Sequence, residues 1–184
     1  MGTRIPGSVA LDHGSLGVGK QMWLGMDPGR YKTGWAFVSF EGTLLQSGII
    51  PEKDFFVWKQ SLLAILEGKE GSLDSWVRES GPSPLNGKIC KILLGNGTSS
   101  SQLQERFSDF PLTIEVVPEQ GTTLEARNLY WELHPPRGLR RLLPRSLQVP
   151  PRDVDDLAAW AIVLRHMRTL NREKSKDVRR SKGE

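Results

Sequence analysis

A single cysteine, Cys90, stands in a chain of 184 residues, so no intrachain disulfide can form and the core must hold the fold. It lies in the apolar run Ile89–Leu94, which reads as a buried thiol in a reducing compartment, the cytoplasm. No run reaches the roughly 18 apolar residues of a membrane span. The N-terminal residues lack the apolar centre of a secretion signal. The three histidines, His13, His134 and His166, are scattered, without the spacing of a zinc site or a nucleophile triad. Acids are in slight deficit, 21 against 25 Lys and Arg, and the resulting net charge of +4 favours polyanionic partners. Hydrophobic content of 38% and charged content of 25% are those of an ordinary globular domain.

Residues 1–21 are rich in glycine and aperiodic, and read as a flexible extension. Within them, Gly14-Ser-Leu-Gly-Val-Gly19-Lys20-Gln21 has the GxxxxGK spacing of a phosphate loop. Gln21 stands where a magnesium-binding hydroxyl is needed, and a strand rather than a helix follows, so the match is set aside. Strands are expected over Met22–Met26, Trp35–Phe40 and Thr43–Ile50, the last two joined by Glu41-Gly42. Helical spacing of Phe55, Trp58, Leu62, Ile65 and Leu66 follows across Asp54–Leu66. The Gly/Ser/Pro-rich stretch 68–87 reads as a loop, with a short helix around Leu73–Val77. Beyond it come a buried strand Ile89–Leu94, a helix capped by Thr98 or Ser99 through about Ser108, a strand Leu112–Val117 and a helix Leu124–Leu133. A basic connection, Arg137–Arg145, leads to a last helix over Asp153–Leu170, and residues 171–184 read as a basic, disordered tail. The order predicts one α/β domain over 22–170, a five-stranded mixed sheet built as a β-meander followed by βαβαβα, with helices on both faces.

In such a sheet the parallel strands end on one rim, where sites form. Asp27 ends the first strand, Glu119 follows the fifth, and Asp153, Asp155 and Asp156 open the last helix. Asp153 and Asp156 stand three apart and share a helix face, which would carry them toward Asp27 and Glu119, while Asp155 points elsewhere. Three or four carboxylates in one cleft need a cation to stay ionised, and oxygen donors favour Mg²⁺ or Mn²⁺. Two such ions about 4 Å apart can activate water and stabilise the leaving oxygen of a phosphodiester. Singly, each acid has a plainer reading: Asp27-Pro-Gly as turn chemistry, Glu119 as a solvated loop acid, Asp153–Asp156 as a helix cap. Nucleic-acid contacts are expected from Arg137, Arg140, Arg141 and Arg145 beside this rim, and from Arg30 and Lys32 in the first hairpin. Arg152, Arg165 and Arg168 belong to the same basic set, and Thr98 with its preceding glycines offers backbone N–H groups. The six tryptophans lie mostly on apolar faces; Trp131 is the one candidate for base stacking.

Leu24-Gly-Met-Asp27-Pro-Gly29-x-x-x-Thr33-Gly34 resembles the opening motif of RNase H-fold resolvases of the RuvC and YqgF type. Glu119-Gln-Gly-Thr122-Thr123-Leu-Glu125-Ala126 is similar to the YqgF run that follows the fifth strand, with Gln120 and Gly121 replacing its arginine and leucine. Asp153-Val-Asp-Asp156-Leu-Ala158-Ala159 resembles the RuvC ending, although the single aspartate of YqgF could fall on Asp155 instead. RuvC proteins also carry a glutamate at the fourth strand, where this chain has Leu94-Gly95-Asn96-Gly97. The resemblance implies an RNase H-like fold and a metal-dependent endonuclease acting on Holliday junction DNA or precursor ribosomal RNA. It implies Asp27, Glu119 and Asp156 as ligands of Mg²⁺ or Mn²⁺, with Asp153 assisting. It also implies a homodimer, since cutting a two-fold junction takes two sites. Two rivals stay open: a nucleic-acid-binding module of the same fold without turnover, and an actin/sugar-kinase-type ATPase. The second needs two such domains and another Asp-x-Gly strand, and none is present.

Overall fold

The computed structural model describes residues 21–82, 87–136, 138, 144 and 148–180, without the side chains of 179 and 180. The expected extension and its phosphate-loop spacing lie outside these residues, except Gln21, which opens the first strand. Three strands, β1 (Gln21–Pro28), β2 (Lys32–Ser39) and β3 (Leu44–Pro51), form the meander, and α1 (Phe55–Leu66) follows. Then come β4 (Val77–Ser80), β5 (Lys88–Gly95), α2 (Ser100–Arg106), β6 (Ile114–Val117), α3 (Thr122–Leu133) and α4 (Asp155–Arg180). No helix among the described residues is long and apolar enough to cross a membrane.

The sheet has six strands, in the order β4-β3-β2-β1-β5-β6, and not the expected five. The pairs β1–β2, β2–β3 and β3–β4 are antiparallel, whereas β1–β5 and β5–β6 are parallel. The extra strand lies in the stretch read as a loop. Its residues Val77-Arg78-Glu79-Ser80 carry no apolar run, because an edge strand needs only backbone pairing with one neighbour. The short helix expected before it is present as a 3₁₀ turn, Asp74–Trp76.

Side chains on alternate strand positions face opposite sides of the sheet, which divides the core in two. Met22, Leu24 and Met26 of β1 join Trp35, Phe37, Ile92 and Leu94 beneath α1 and α2. Ala36, Val38 and Leu93 face α3 and α4, where Leu157, Ala159, Ile162 and Val163 complete a second cluster. Helices therefore cover both faces, as expected. Cys90 is only half-buried. Trp131 is core rather than a stacking surface: it is 6% exposed and its indole N–H donates to the Gln148 carbonyl at 3.0 Å.

The last helix departs from expectation at both ends. It starts at Asp155 instead of Asp153 and continues to Arg180 instead of stopping near Leu170. The start matters for function, because a shift of two positions turns each aspartate to a different direction.

Candidate functional site

Two glycines set the geometry. Gly25 and Asp27 lie on the same side of β1, and Asp27 is registered against Gly34 of β2. A Cβ at Gly25 would collide with the Ala159 carbonyl, and one at Gly34 with the Asp155 carbonyl. The absence of side chains there lets the backbone of α4 lie directly on the sheet, with its first turn beside Asp27. The carboxyl end of β1 and the amino end of α4 thus meet at one rim.

Glu119 reaches the same rim from the other side. The register Gly95↔Val117 brings the end of β6 level with that of β5, and Glu119 follows two residues later. Its backbone N–H donates to Asn96 Oδ1 at 3.0 Å, and its carbonyl accepts from the Thr122 N–H at 2.9 Å. Its carboxylate packs onto Gly95 and Gly97, where any Cβ would overlap its oxygens. Gly121 takes φ +87, a left-handed conformation that a leucine would strain, so that α3 can begin at once. Arg165 then holds this turn, donating to the Gln120 carbonyl and pairing with Glu125 at 3.1 Å.

The three acids brought together are Asp27, Glu119 and Asp155. The Asp27 carboxyl is pushed up from 3.8 to about 7, first by burial and then by repulsion from Glu119 and Asp155, with Lys32 opposing weakly. One oxygen of Glu119, Oε2, is buried and has no hydrogen-bond partner. Lys32 bridges Asp153 at 2.6 Å and Asp155 at 2.8 Å. Burial draws its ammonium pKa down, but the bonds from Asp153 and Asp155 outweigh that and raise it. Asp153 itself is held below the usual carboxylate range, chiefly by its bond to Lys32.

The expected ligand Asp156 does something else. It is 0% exposed, accepts a hydrogen bond from the Ser47 hydroxyl at 2.9 Å and pairs with Arg152 at 2.8 Å. Arg152 also pairs with Glu79 of β4, and its guanidinium carbon lies 5.4 Å from the centre of the Tyr130 ring. This closed network ties α4 to the edge of the sheet and leaves Asp156 no free oxygen to offer a ligand. Asp153 precedes the helix, is largely exposed and touches Lys32 rather than Asp27. Asp155, read as pointing away, is the aspartate beside Asp27. Its placement follows from the helix start, which the Pro150-Pro151 signal located two residues too early.

The basic residues divide likewise. Arg137, Arg140, Arg141 and Arg145 lie outside the described residues. Arg152, Arg165 and Arg168 are engaged with Glu79, Asp156 and Glu125 and are not a free phosphate surface. Arg30 is exposed at the hairpin tip and shares a groove of about 530 Å³ with Thr98 and Glu119. On the other side of Asp27 a cleft of about 900 Å³ includes Lys32 and two arginines that sequence reasoning passed over, Arg78 and Arg127.

A divalent cation can be tested against this donor set. All the donors are carboxylate oxygens, which suits a hard ion, and the orphaned Glu119 Oε2 stands near an Asp27 carboxyl whose ionised form burial and acidic neighbours disfavour. As the side chains lie, no three His, Cys, Asp or Glu among the described residues stand close enough to hold a metal. Asp27 and Glu119 fit the role, whereas Asp155 is occupied by Lys32.

No protein-family model matches this chain, and no curated protein matches it. Among solved structures, a ROK family transcriptional regulator, described as a homologue of the E. coli MLC protein, is similar at 14% identity and a TM-score of 0.35. That match covers 60% of this chain and 31% of the regulator, and at such a level it carries no argument. These findings correct the resemblance to RuvC and YqgF proteins. Its motifs are short Asp-Gly and Asp-Asp patterns that strand tips and helix starts produce for local reasons, and neither a family model nor a curated relative stands behind them.

Proposed function

We propose that this chain is a metal-dependent phosphodiesterase acting on structured nucleic acid, either branched DNA or precursor ribosomal RNA. The observation that carries the reading is the half-buried Asp27 carboxyl, raised to about 7 beside Glu119 at the ends of the parallel strands. A carboxyl so placed is poised to exchange its proton for a cation near neutral pH. The strand order, a meander followed by two parallel strands on its β1 side, is compatible with an RNase H-like sheet carrying one extra edge strand.

Asp27 and Glu119 would hold Mg²⁺ or Mn²⁺, and Asp155 would join them once Lys32 turns to a phosphate. The ion would supply an activated water and charge stabilisation at the leaving oxygen. Asn96, Gly95 and Gly97 keep the Glu119 carboxylate in place, and Gly34 keeps Asp155 near. The grooves on either side of Asp27 give a phosphate backbone two lines of approach, past Arg30 and past Arg78 and Arg127.

One observation favours a second reading, a binding module without turnover. Lys32 already pairs with both Asp153 and Asp155 and offsets part of their charge, which is what an ion would otherwise do. Labelled four-way junctions, linear duplex and structured RNA, incubated with Mg²⁺, Mn²⁺ or EDTA, separate the two. Cleavage is expected with either metal and lost in EDTA, in Asp27→Asn and in Glu119→Gln, with binding retained by Glu119→Gln. Binding with no metal-dependent cleavage on any substrate would establish the module instead.

A further inference from the structure

The cleft of about 900 Å³ beside Asp27 has a wall that the chemistry proposed above does not use. Tyr31 stands on it at the tip of the β1–β2 hairpin, 74% exposed. The Tyr31 carbonyl accepts a hydrogen bond from the Glu52 N–H at 2.9 Å, which anchors its backbone, and the Arg30 guanidinium carbon lies 5.3 Å from the ring centre. Val149, 67% exposed, and Pro150 add apolar surface to the same cleft. Arg78 of β4 and Arg127 of α3 line it from two other elements, both exposed and neither in an ion pair with a described residue. Asp27, Asp153 and Asp155 also line the cleft; Lys32 pairs with the last two and offsets part of their charge, so an anion is held at the Arg78 and Arg127 side.

An aromatic face, apolar walls and two free guanidinium groups on one cleft match one chemical unit, a base with its flanking phosphates. Stacking on an aromatic ring needs a base with an open face, which a continuous duplex does not offer. We propose that this cleft binds an unpaired nucleotide, its base stacked on Tyr31 and its flanking phosphates held by Arg78 and Arg127. The inference rests on the nucleic-acid reading above and narrows its substrate to strands with unpaired bases near the cut. Junction arms, bulges and single-stranded tails have such bases.

The test is fluorescence anisotropy of the full chain in EDTA, so that no cleavage intervenes. Its probes are a labelled single-stranded oligonucleotide, the same strand with abasic spacers, and a matched duplex. Wild type is expected to bind the base-containing strand about tenfold tighter than the abasic strand. Tyr31→Ala should remove that preference and leave the abasic affinity unchanged, while Tyr31→Trp keeps it. Arg78→Ala with Arg127→Ala should weaken binding of both strands, because their contacts are to phosphate. Equal affinity for base-containing and abasic strands, or a Tyr31→Ala protein that binds both as wild type does, overturns the proposal. If metal-dependent cleavage persists in that case, the nuclease reading stands and only this cleft assignment falls. A wild type that binds none of the three probes also overturns the cleft assignment, and the junction and structured-RNA assay above then decides the nuclease reading on its own.

Discussion

Asp27 is where charge and stability oppose each other. In the unfolded chain its carboxyl titrates at an ordinary 3.8, and in the folded chain at about 7. Between those values the folded state holds a proton that the unfolded state has released, so stability falls as pH rises through that window and levels off above it. Asp27→Asn carries no such proton and should lack this dependence. The residue is half-buried, so solvent screens part of the effect. The variant should therefore exceed wild type by about 1–3 kcal/mol at about pH 8 and match it at about pH 4, read by denaturant melts. Added Mn²⁺ should raise the midpoint of wild type at the higher pH and leave that of Asp27→Asn unmoved. A wild type indifferent to the ion would argue against Asp27 as a ligand. The neighbouring aspartates separate by the same logic. Asp155→Asn should leave stability and the metal response of the free protein nearly unchanged, because Lys32 holds Asp155 there, and should abolish metal-dependent cleavage. Asp156→Asn should keep the response but destabilise, by about 1–3 kcal/mol, because it weakens a buried charge-assisted network with Arg152 and Ser47. Their adjacency in sequence hid this difference, since one residue of helix rotation separates an acid facing Lys32 from one facing Ser47.

At the scale of elements, the site depends on how closely α4 lies on β1 and β2. The apolar runs of β1 and β2 announce two buried strands, but they do not say that a helix will rest on Gly25 and Gly34. Those residues read as ordinary hairpin and strand glycines until the helix is placed above them. Gly34→Ala drives a methyl group into the Asp155 carbonyl, and either the helix start or the strand tip must move. We expect a loss of about 1–3 kcal/mol in urea denaturation, the usual effect of overpacking. Cleavage should fall with it, because Asp155 moves away from Asp27. A Gly34→Ala protein of unchanged stability would show that α4 is free to shift. The edge strand β4 was illegible for a related reason. Its pairing is supplied by the β3 backbone and by Glu79 meeting Arg152, partners 73 residues apart. No local pattern in Val77–Ser80 records either.

At the scale of the whole molecule, the described arginines divide between ion pairs and open surface. Several arginines expected to meet phosphate are engaged in ion pairs, Arg152 with Asp156 and Glu79, Arg165 and Arg168 with Glu125. Among the described residues, that leaves Arg30, Arg78 and Arg127 as exposed arginines around the Asp27 rim. If these three carry the phosphate contacts of the described residues, log affinity for nucleic acid should fall against log salt with a slope of about −2 to −3. Replacing Arg78 and Arg127 by alanine should flatten that slope by about 1.5–2, and an unchanged slope would place the contacts elsewhere. Much of the architecture is local in origin and legible in the chain: apolar runs bounded by Gly and Pro turns made β1 to β3, a continuous apolar run made β5, and helical spacing made α1. Asp27 and Glu119 were legible too, because each closes a strand that its own neighbours define. Which aspartate of α4 joins them, which arginines stay free and where a sixth strand adds on were decided only in three dimensions. Each depends on a contact between residues far apart in the chain, on a glycine that admits a backbone or an acid that captures an arginine, and sequence periodicity carries no record of such partners.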